Sequence, residues 1–287
     1  MMQDYGHTFV ETNGIHLHVV TTGDPSGKPV ILLHGFPEFW YGWRFQIPAL
    51  AAVGKFVIVP DQRGYNLSDK PRGVKAYTME KLVQDMVGML DHFEIEKASL
   101  VGHDWGAAVA WEAAIAFPER IDRLAILNVP HPKVMRDTLR ISLRQVLKSW
   151  YIGFFQIPTL PDWLLGVNHC ALAERMLVSS GKPGTFSPTE LVEYKQAWSQ
   201  QGALTAMINW YRAVVRYPDA RRTDLRVHIP TLILWGKRDV ALSAGMAQRS
   251  LDYCDDGRLV FFENATHWVQ HDEAAGVNRQ LLMFFGN

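Results

Sequence analysis

Cysteine is scarce in this chain: Cys170 and Cys254 are the 2 present among 287 residues, and they lie far apart. They form no CxxC pair and no metal-ligand spacing, so neither a disulfide framework nor a zinc module is expected, and reduced thiols in a cytoplasmic protein are. An excess of either charge is missing as well. Lysine plus arginine and aspartate plus glutamate both number 29, a formal net charge of zero, which argues against nucleic acid or an anionic membrane as the main partner. No stretch approaches ~18 consecutive apolar residues, and the first twenty residues hold no apolar run of signal-peptide type. Internal repeats and low-complexity segments are absent too. What is present is hydrophobic side chain, 48% of the total, enough for one large α/β core with room for an insertion.

Two early strands, His7–Thr12 and Ile15–Thr21, flank Asn13-Gly14, a hairpin turn signal. Short apolar runs follow at Val30–Leu33, Phe56–Val59, Ala98–Val101 and Leu124–Leu127, with two more at Thr231–Trp235 and Leu259–Phe262. Runs of this length and character are expected of parallel strands buried on both faces. Helical patterns alternate with them at Met79–Phe93, Gly106–Phe117 and, last, Asp272–Phe285. From Pro130 to about Arg222 the alternation stops. Aromatics at helix-like spacing replace it, including Trp150, Tyr151, Phe154, Phe155, Trp163 and Trp210. That segment reads as a helical cap over the strand ends, where ligands bind in open α/β sheets.

Gly102-His103-Asp104-Trp105-Gly106 joins a strand to a helix through a tight turn bracketed by glycines. This is the form of a nucleophile elbow, with aspartate where serine is usual. A carboxylate is ionised at neutral pH and needs no base to attack. On a saturated carbon it forms an ester that water can cleave, whereas serine would leave an inert ether. Asp239, in Gly236-Lys-Arg-Asp239, and His267 each lie beyond a late strand. Nucleophile, acid, histidine is the chain order of the α/β-hydrolases. His34-Gly-Phe-Pro37 follows an early strand, and the backbone N–H groups of Phe36 and Trp105 are candidates for an oxyanion hole; Pro37 suggests a fixed, cis-type turn. Taken singly, Asp104 is a turn residue, Asp239 a helix cap and His267, like His271, a satisfied loop histidine. Their order and their common position after strands decide for chemistry.

These residues resemble the epoxide hydrolases of the α/β-hydrolase superfamily over nearly the whole chain. The likeness rests on His34-Gly-Phe-Pro-Glu38, Trp40, Trp43-Arg44, Asp61-Gln-Arg-Gly64-Tyr-Asn-Leu-Ser68, the elbow, and the Asp239 and His267 loops. Ring opening of an epoxide requires a proton at the departing oxygen, which a neutral tyrosine supplies. The residues alone leave Tyr151, Tyr194, Tyr211 and Tyr217 open. The resemblance assigns the role to Tyr151, which opens Tyr151-Ile-Gly-Phe-Phe155-Gln-Ile-Pro158, and to Tyr211 in Asn209-Trp-Tyr211-Arg. Three positions depart from the pattern: Ile152 where glutamine is common, Asn66 where glycine is, and His271-Asp-Glu-Ala without a usual proline.

The expected fold is therefore the α/β-hydrolase fold, a mostly parallel sheet flanked by helices, with a helical cap inserted after the sixth strand. Residues 1–130 and 223–287 form its core and 131–222 its cap. The expected activity is hydrolysis of a small apolar epoxide to a diol through an ester on Asp104, with water activated by His267 and Asp239. A haloalkane dehalogenase is the alternative, since it uses the same three residues; there, however, Tyr151 and Tyr211 have no task and Phe36 replaces a halide-binding amide. His34, Pro37, Trp150, Phe154, Phe155, Trp163 and Trp210 are the candidate pocket walls. No cofactor or metal, no nucleic-acid or membrane partner, and a monomer or homodimer complete the expectation.

Overall fold

The computed structural model describes residues 5–218 and 224–286. Its frame is an eight-stranded sheet in the order β1-β2-β4-β3-β5-β6-β7-β8. The antiparallel pair β1 (Gly6–Thr12) and β2 (Ile15–Thr22) turns through Asn13 and Gly14, at φ 46° and 73°, the left-handed conformations that Asn-Gly tolerates. The remaining strands are β3 (Pro29–Leu33), β4 (Phe56–Pro60), β5 (Ala98–His103), β6 (Ile121–Leu127), β7 (Thr231–Gly236) and β8 (Gly257–Phe262). All neighbours from β4 onward in the sheet order pair in parallel.

Alternation along the strands builds two core layers, because successive side chains leave opposite faces of a sheet. Val30 and Leu32 of β3 pack in one layer with α1 (Gln46–Ala51) and the last helix; Ile31 and Leu33 pack in the other, against α2 (Met79–His92) and α3 (Trp105–Ala116). The expected final helix is α12 (Ala274–Phe285), preceded by two short helices that were not expected, α10 (Gly245–Ser250) and α11 (Val269–Asp272). Glu273, between α11 and α12, has the non-helical φ, ψ of −134°, 41°.

After β6 the chain leaves the sheet, forms six helices among the described residues, and returns at β7. These are α4 (Pro132–Ile141), α5 (Leu143–Lys148), α6 (Trp150–Phe154), α7 (Leu160–Ser180), α8 (Pro188–Trp198) and α9 (Ala203–Arg216). α7 is interrupted at residues 167–170, where Asn168, His169 and Cys170 are left-handed. α8 starts at a reciprocal cap in which Ser187 and Glu190 satisfy each other's backbone N–H. Glu190 also accepts from Arg44 Nε at 2.6 Å, an ion pair that ties this helix to the core. The expected downstream limit of the insertion, 222/223, lies outside the described residues.

Candidate active site

β5 runs to His103, and the next residue, Asp104, has φ 49° and ψ −122°. A non-glycine residue rarely adopts positive φ, and it persists only where its surroundings over-determine it. Two glycines do so here. A Cβ on Gly106 would lie 2.1 Å from the Leu33 carbonyl oxygen, and one on Gly35 would lie 2.2 Å from Asp104 Cβ. The elbow thus wedges its carboxylate between the start of α3 and the His34–Pro37 loop, where the Phe36–Pro37 peptide is cis.

The two oxygens of Asp104 have different surroundings. Oδ1 accepts the Phe36 backbone N–H at 2.7 Å, while Oδ2 lies 3.4 Å from His267 Nε2. His267 Nδ1 is 2.7 Å from Asp239 Oδ2. Asp239 Oδ1 accepts the N–H groups of Ala241 at 2.7 Å and Leu242 at 2.8 Å, and Oδ2 accepts Asn128 Nδ2 at 2.8 Å. Trp105 opens α3, whose first N–H groups have no partner within the helix.

Burial by itself would raise both carboxyls; the charge and hydrogen bonds of His267 outweigh it, so Asp104 and Asp239 are each held below the ordinary carboxylate range. Burial would likewise depress the His267 imidazolium, but Asp239 and Asp104 on its two sides push its pKa up to about 10. The Tyr151 and Tyr211 hydroxyls are raised by burial and then by the charge of Asp104, so both stay protonated at neutral pH. Their rings meet edge to face, 5.8 Å apart, and the Trp105 ring meets that of Tyr211 edge to face at 5.0 Å.

Asp104, His267, Tyr151 and Tyr211 share one cavity of about 390 Å³ beneath the inserted helices. Of the expected walls, Pro37, Trp150 and Phe155 line it. The other four do not. His34 is fully buried below, its Nε2 accepting the Gln62 N–H at 3.0 Å. Trp210 sits one layer down, its indole donating to the Arg63 carbonyl at 3.0 Å and its ring against Trp105. Phe154 packs between Trp150 and Phe155, and Trp163 lies on the outer surface of α7, 62% exposed. Aromatic content marked the segment, but helical phase decides which side chain faces inward. In their place α7 contributes Leu165, Ala173, Met176 and Leu177; the last three fall at the i, i+3, i+4 spacing that signals one helix face.

A second buried set lies outside the expected site residues, and in it His271 is the satisfied histidine that the sequence suggests. Glu38, fully buried, accepts Tyr194 Oη and His271 Nε2 at 2.7 Å each and Gln270 Nε2 at 3.0 Å. His103, the residue before Asp104, bonds the His267 carbonyl through Nε2 at 2.9 Å. The elbow, the histidine loop and α8 are thus joined around one carboxylate. Asn128 was missed as well, and its signal was a polar residue ending the apolar run of β6. Among the described residues, no group of three His, Cys, Asp or Glu side chains forms a metal cage.

Residues 28–274 match the family described as alpha/beta hydrolase fold. A Bacillus subtilis (strain 168) protein, AB hydrolase superfamily protein YfhM, is 43% identical over 97% of this chain and 97% of its own. Epoxide hydrolase 2 of Caenorhabditis elegans is 35% identical over 99% of this chain and 81% of its own. A crystal structure of Bacillus megaterium epoxide hydrolase with an inhibitor aligns at TM-score 0.89 and 28% identity, covering 98% of this chain and 100% of that one.

Proposed function

This chain belongs to the α/β-hydrolase superfamily, closely related to known epoxide hydrolases, and we propose that it opens small apolar epoxides to vicinal diols through an ester on Asp104. The carrying observation is the sorting of the Asp104 oxygens, Oδ1 on the Phe36 N–H and Oδ2 free of backbone donors and turned to His267, in a cavity that also holds two neutral tyrosines. Oδ2 attacks an epoxide carbon, and the ring C–O bond breaks as Tyr151 or Tyr211 gives its proton to the departing oxygen. Acid assistance of this kind contributes ~10²–10⁴-fold.

Esterification removes the Asp104 charge, one of the two that hold the His267 proton. The imidazolium then sheds that proton as the tyrosinate regains one, and His267 becomes a base only after the ester exists. It takes a proton from water, and the oxygen attacks Asp104 Cγ. Negative charge collects on Oδ1, already at the Phe36 N–H, with the Trp105 N–H as the second proposed donor, and one such donor is worth ~10²–10³-fold. Collapse breaks the Cγ–Oδ2 bond, the diol oxygen leaves with the proton from His267, and the acid left on Asp104 passes its remaining proton to His267, restoring carboxylate and imidazolium. Asp239, held by Asn128 and two backbone N–H groups, keeps the ring oriented throughout.

The apolar lining from Phe36, Phe155, Met176 and Leu177 favours an uncharged aryl or alkyl epoxide. The dehalogenase alternative draws no support here: a departing halide needs N–H donors and leaves both tyrosines idle. Two buried, unpaired thiols fit a cytoplasmic setting, and among the described residues no helix is long and apolar enough to cross a membrane. Diol formation from a panel of aryl and alkyl epoxides, with Asp104→Ala beside the native chain, tests the reading. Turnover that the variant abolishes supports it; halide release from bromoalkanes without diol formation overturns it.

A further inference from the structure

Overall neutrality conceals a local imbalance. Residues 138–161 contain Arg140, Arg144 and Lys148 and no aspartate or glutamate, and the flanking Asp137, which feels Arg140, is already paired with Lys133. Interleaved with these cations are Ile141, Leu143, Val146, Leu147 and Trp150, between 43% and 76% exposed. Such a patch on a folded domain marks a surface that meets something else.

The exposure is imposed by α5, which is built inside out. Its one fully buried side chain is polar: Gln145 donates to the Ala241 carbonyl at 2.8 Å and Ser149 Oγ at 3.1 Å, and accepts from Ser243 N at 3.1 Å and Oγ at 2.8 Å. Four hydrogen bonds to the amide thus fix the polar face inward and hold the apolar face out. Arg140 and Arg144 are exposed and enter no salt bridge among the described residues. The patch continues into the cavity, for Leu147, Lys148, Trp150 and the 56% exposed Val240 line its mouth.

We propose that this face docks on an anionic phospholipid surface, with the cavity mouth turned toward the lipid. Two unpaired arginines among leucine, isoleucine and tryptophan, with the flanking Asp137 neutralised by Lys133 and Lys148 held on the Asp239 carbonyl at 2.9 Å, match the charged headgroups and the acyl boundary below them. A second copy of the chain fits worse, since a two-fold contact sets each cation against its own kind. Docking stands independently of the reaction. If the epoxide reading also holds, apolar substrate dissolved in the lipid reaches the site without crossing water.

Flotation with vesicles of phosphatidylcholine, with or without one-third phosphatidylglycerol, tests the proposal and reads binding without reference to activity. The native chain floats with the anionic vesicles, far less with the neutral ones, and is released by high salt. Arg140→Gln/Arg144→Gln weakens binding roughly 25-fold, about fivefold per arginine. Ile141→Ser/Leu143→Ser weakens it by at least about tenfold. None of these four residues lines the cavity, so diol formation from a water-soluble epoxide serves as the folding control. Failure of the native chain to float overturns the proposal, as does equal flotation of the variants. A native dimer in analytical ultracentrifugation that the variants dissolve, with no lipid binding, assigns the face to self-association and overturns it too.

Discussion

At the scale of single residues, the chemistry turns on one carboxylate and on the proton inventory around it. Asp104 faces an imidazolium that Asp239 and Asp104 together stabilise, so alkylation and hydrolysis make opposite demands on His267. Only the second needs it as a base. His267→Gln therefore alkylates and stalls: intact mass rises by one epoxide while diol output falls by at least ~100-fold. A variant that turns over normally and carries no adduct refutes the role of His267. Gly35 acts on the other side of the carboxylate, where an added Cβ would meet Asp104 Cβ at 2.2 Å. Gly35→Ala displaces the nucleophile, and the single-turnover rate of adduct formation, followed by quenched-flow mass spectrometry, falls about 100-fold.

Among the secondary-structure elements, what was legible followed from local pattern. Short apolar runs bounded by turns marked the parallel strands to within a few residues, because the central ones, β3 to β7, are buried on both faces and must be apolar throughout, and the Asn13-Gly14 turn marked the more exposed β1–β2 pair. Asn66 at φ 39° carries the left-handed turn where glycine is common, as asparagine can. The inserted helices were legible as helices but not in phase, so Phe154, Trp163 and Trp210, three of the five pocket walls expected from that segment, point elsewhere. α8 shows how far a helix can depend on a distant partner. Glu190 completes its cap and pairs with Arg44 across 146 residues of chain. Glu190→Ala removes both, and denaturant unfolding should report a loss of about 1–2 kcal/mol. No change relative to the native chain would mean that neither contact stabilises α8.

For the whole molecule, the site is coupled to stability through its protons. In the unfolded chain His267 titrates near 6.5; folded, it keeps its proton up to about 10. Between those values the folded state binds more protons, so this contribution is complete below pH 6.5 and is lost as pH rises toward 10. The melting temperature of the native chain should fall across that window, and more steeply than that of His267→Gln. Parallel curves would deny the raised pKa. By itself, the sequence determined the sheet, the elbow, the order of nucleophile, acid and histidine, and the presence of a helical insertion, because each depends on residues adjacent in the chain. Only the tertiary structure decided the helix phases that line the cavity, the Glu38 cluster, the Asn128 brace on Asp239 and the outward apolar face of α5. Those depend on contacts between residues roughly a hundred or more positions apart, and no local periodicity records which distant side chain will satisfy a buried polar group.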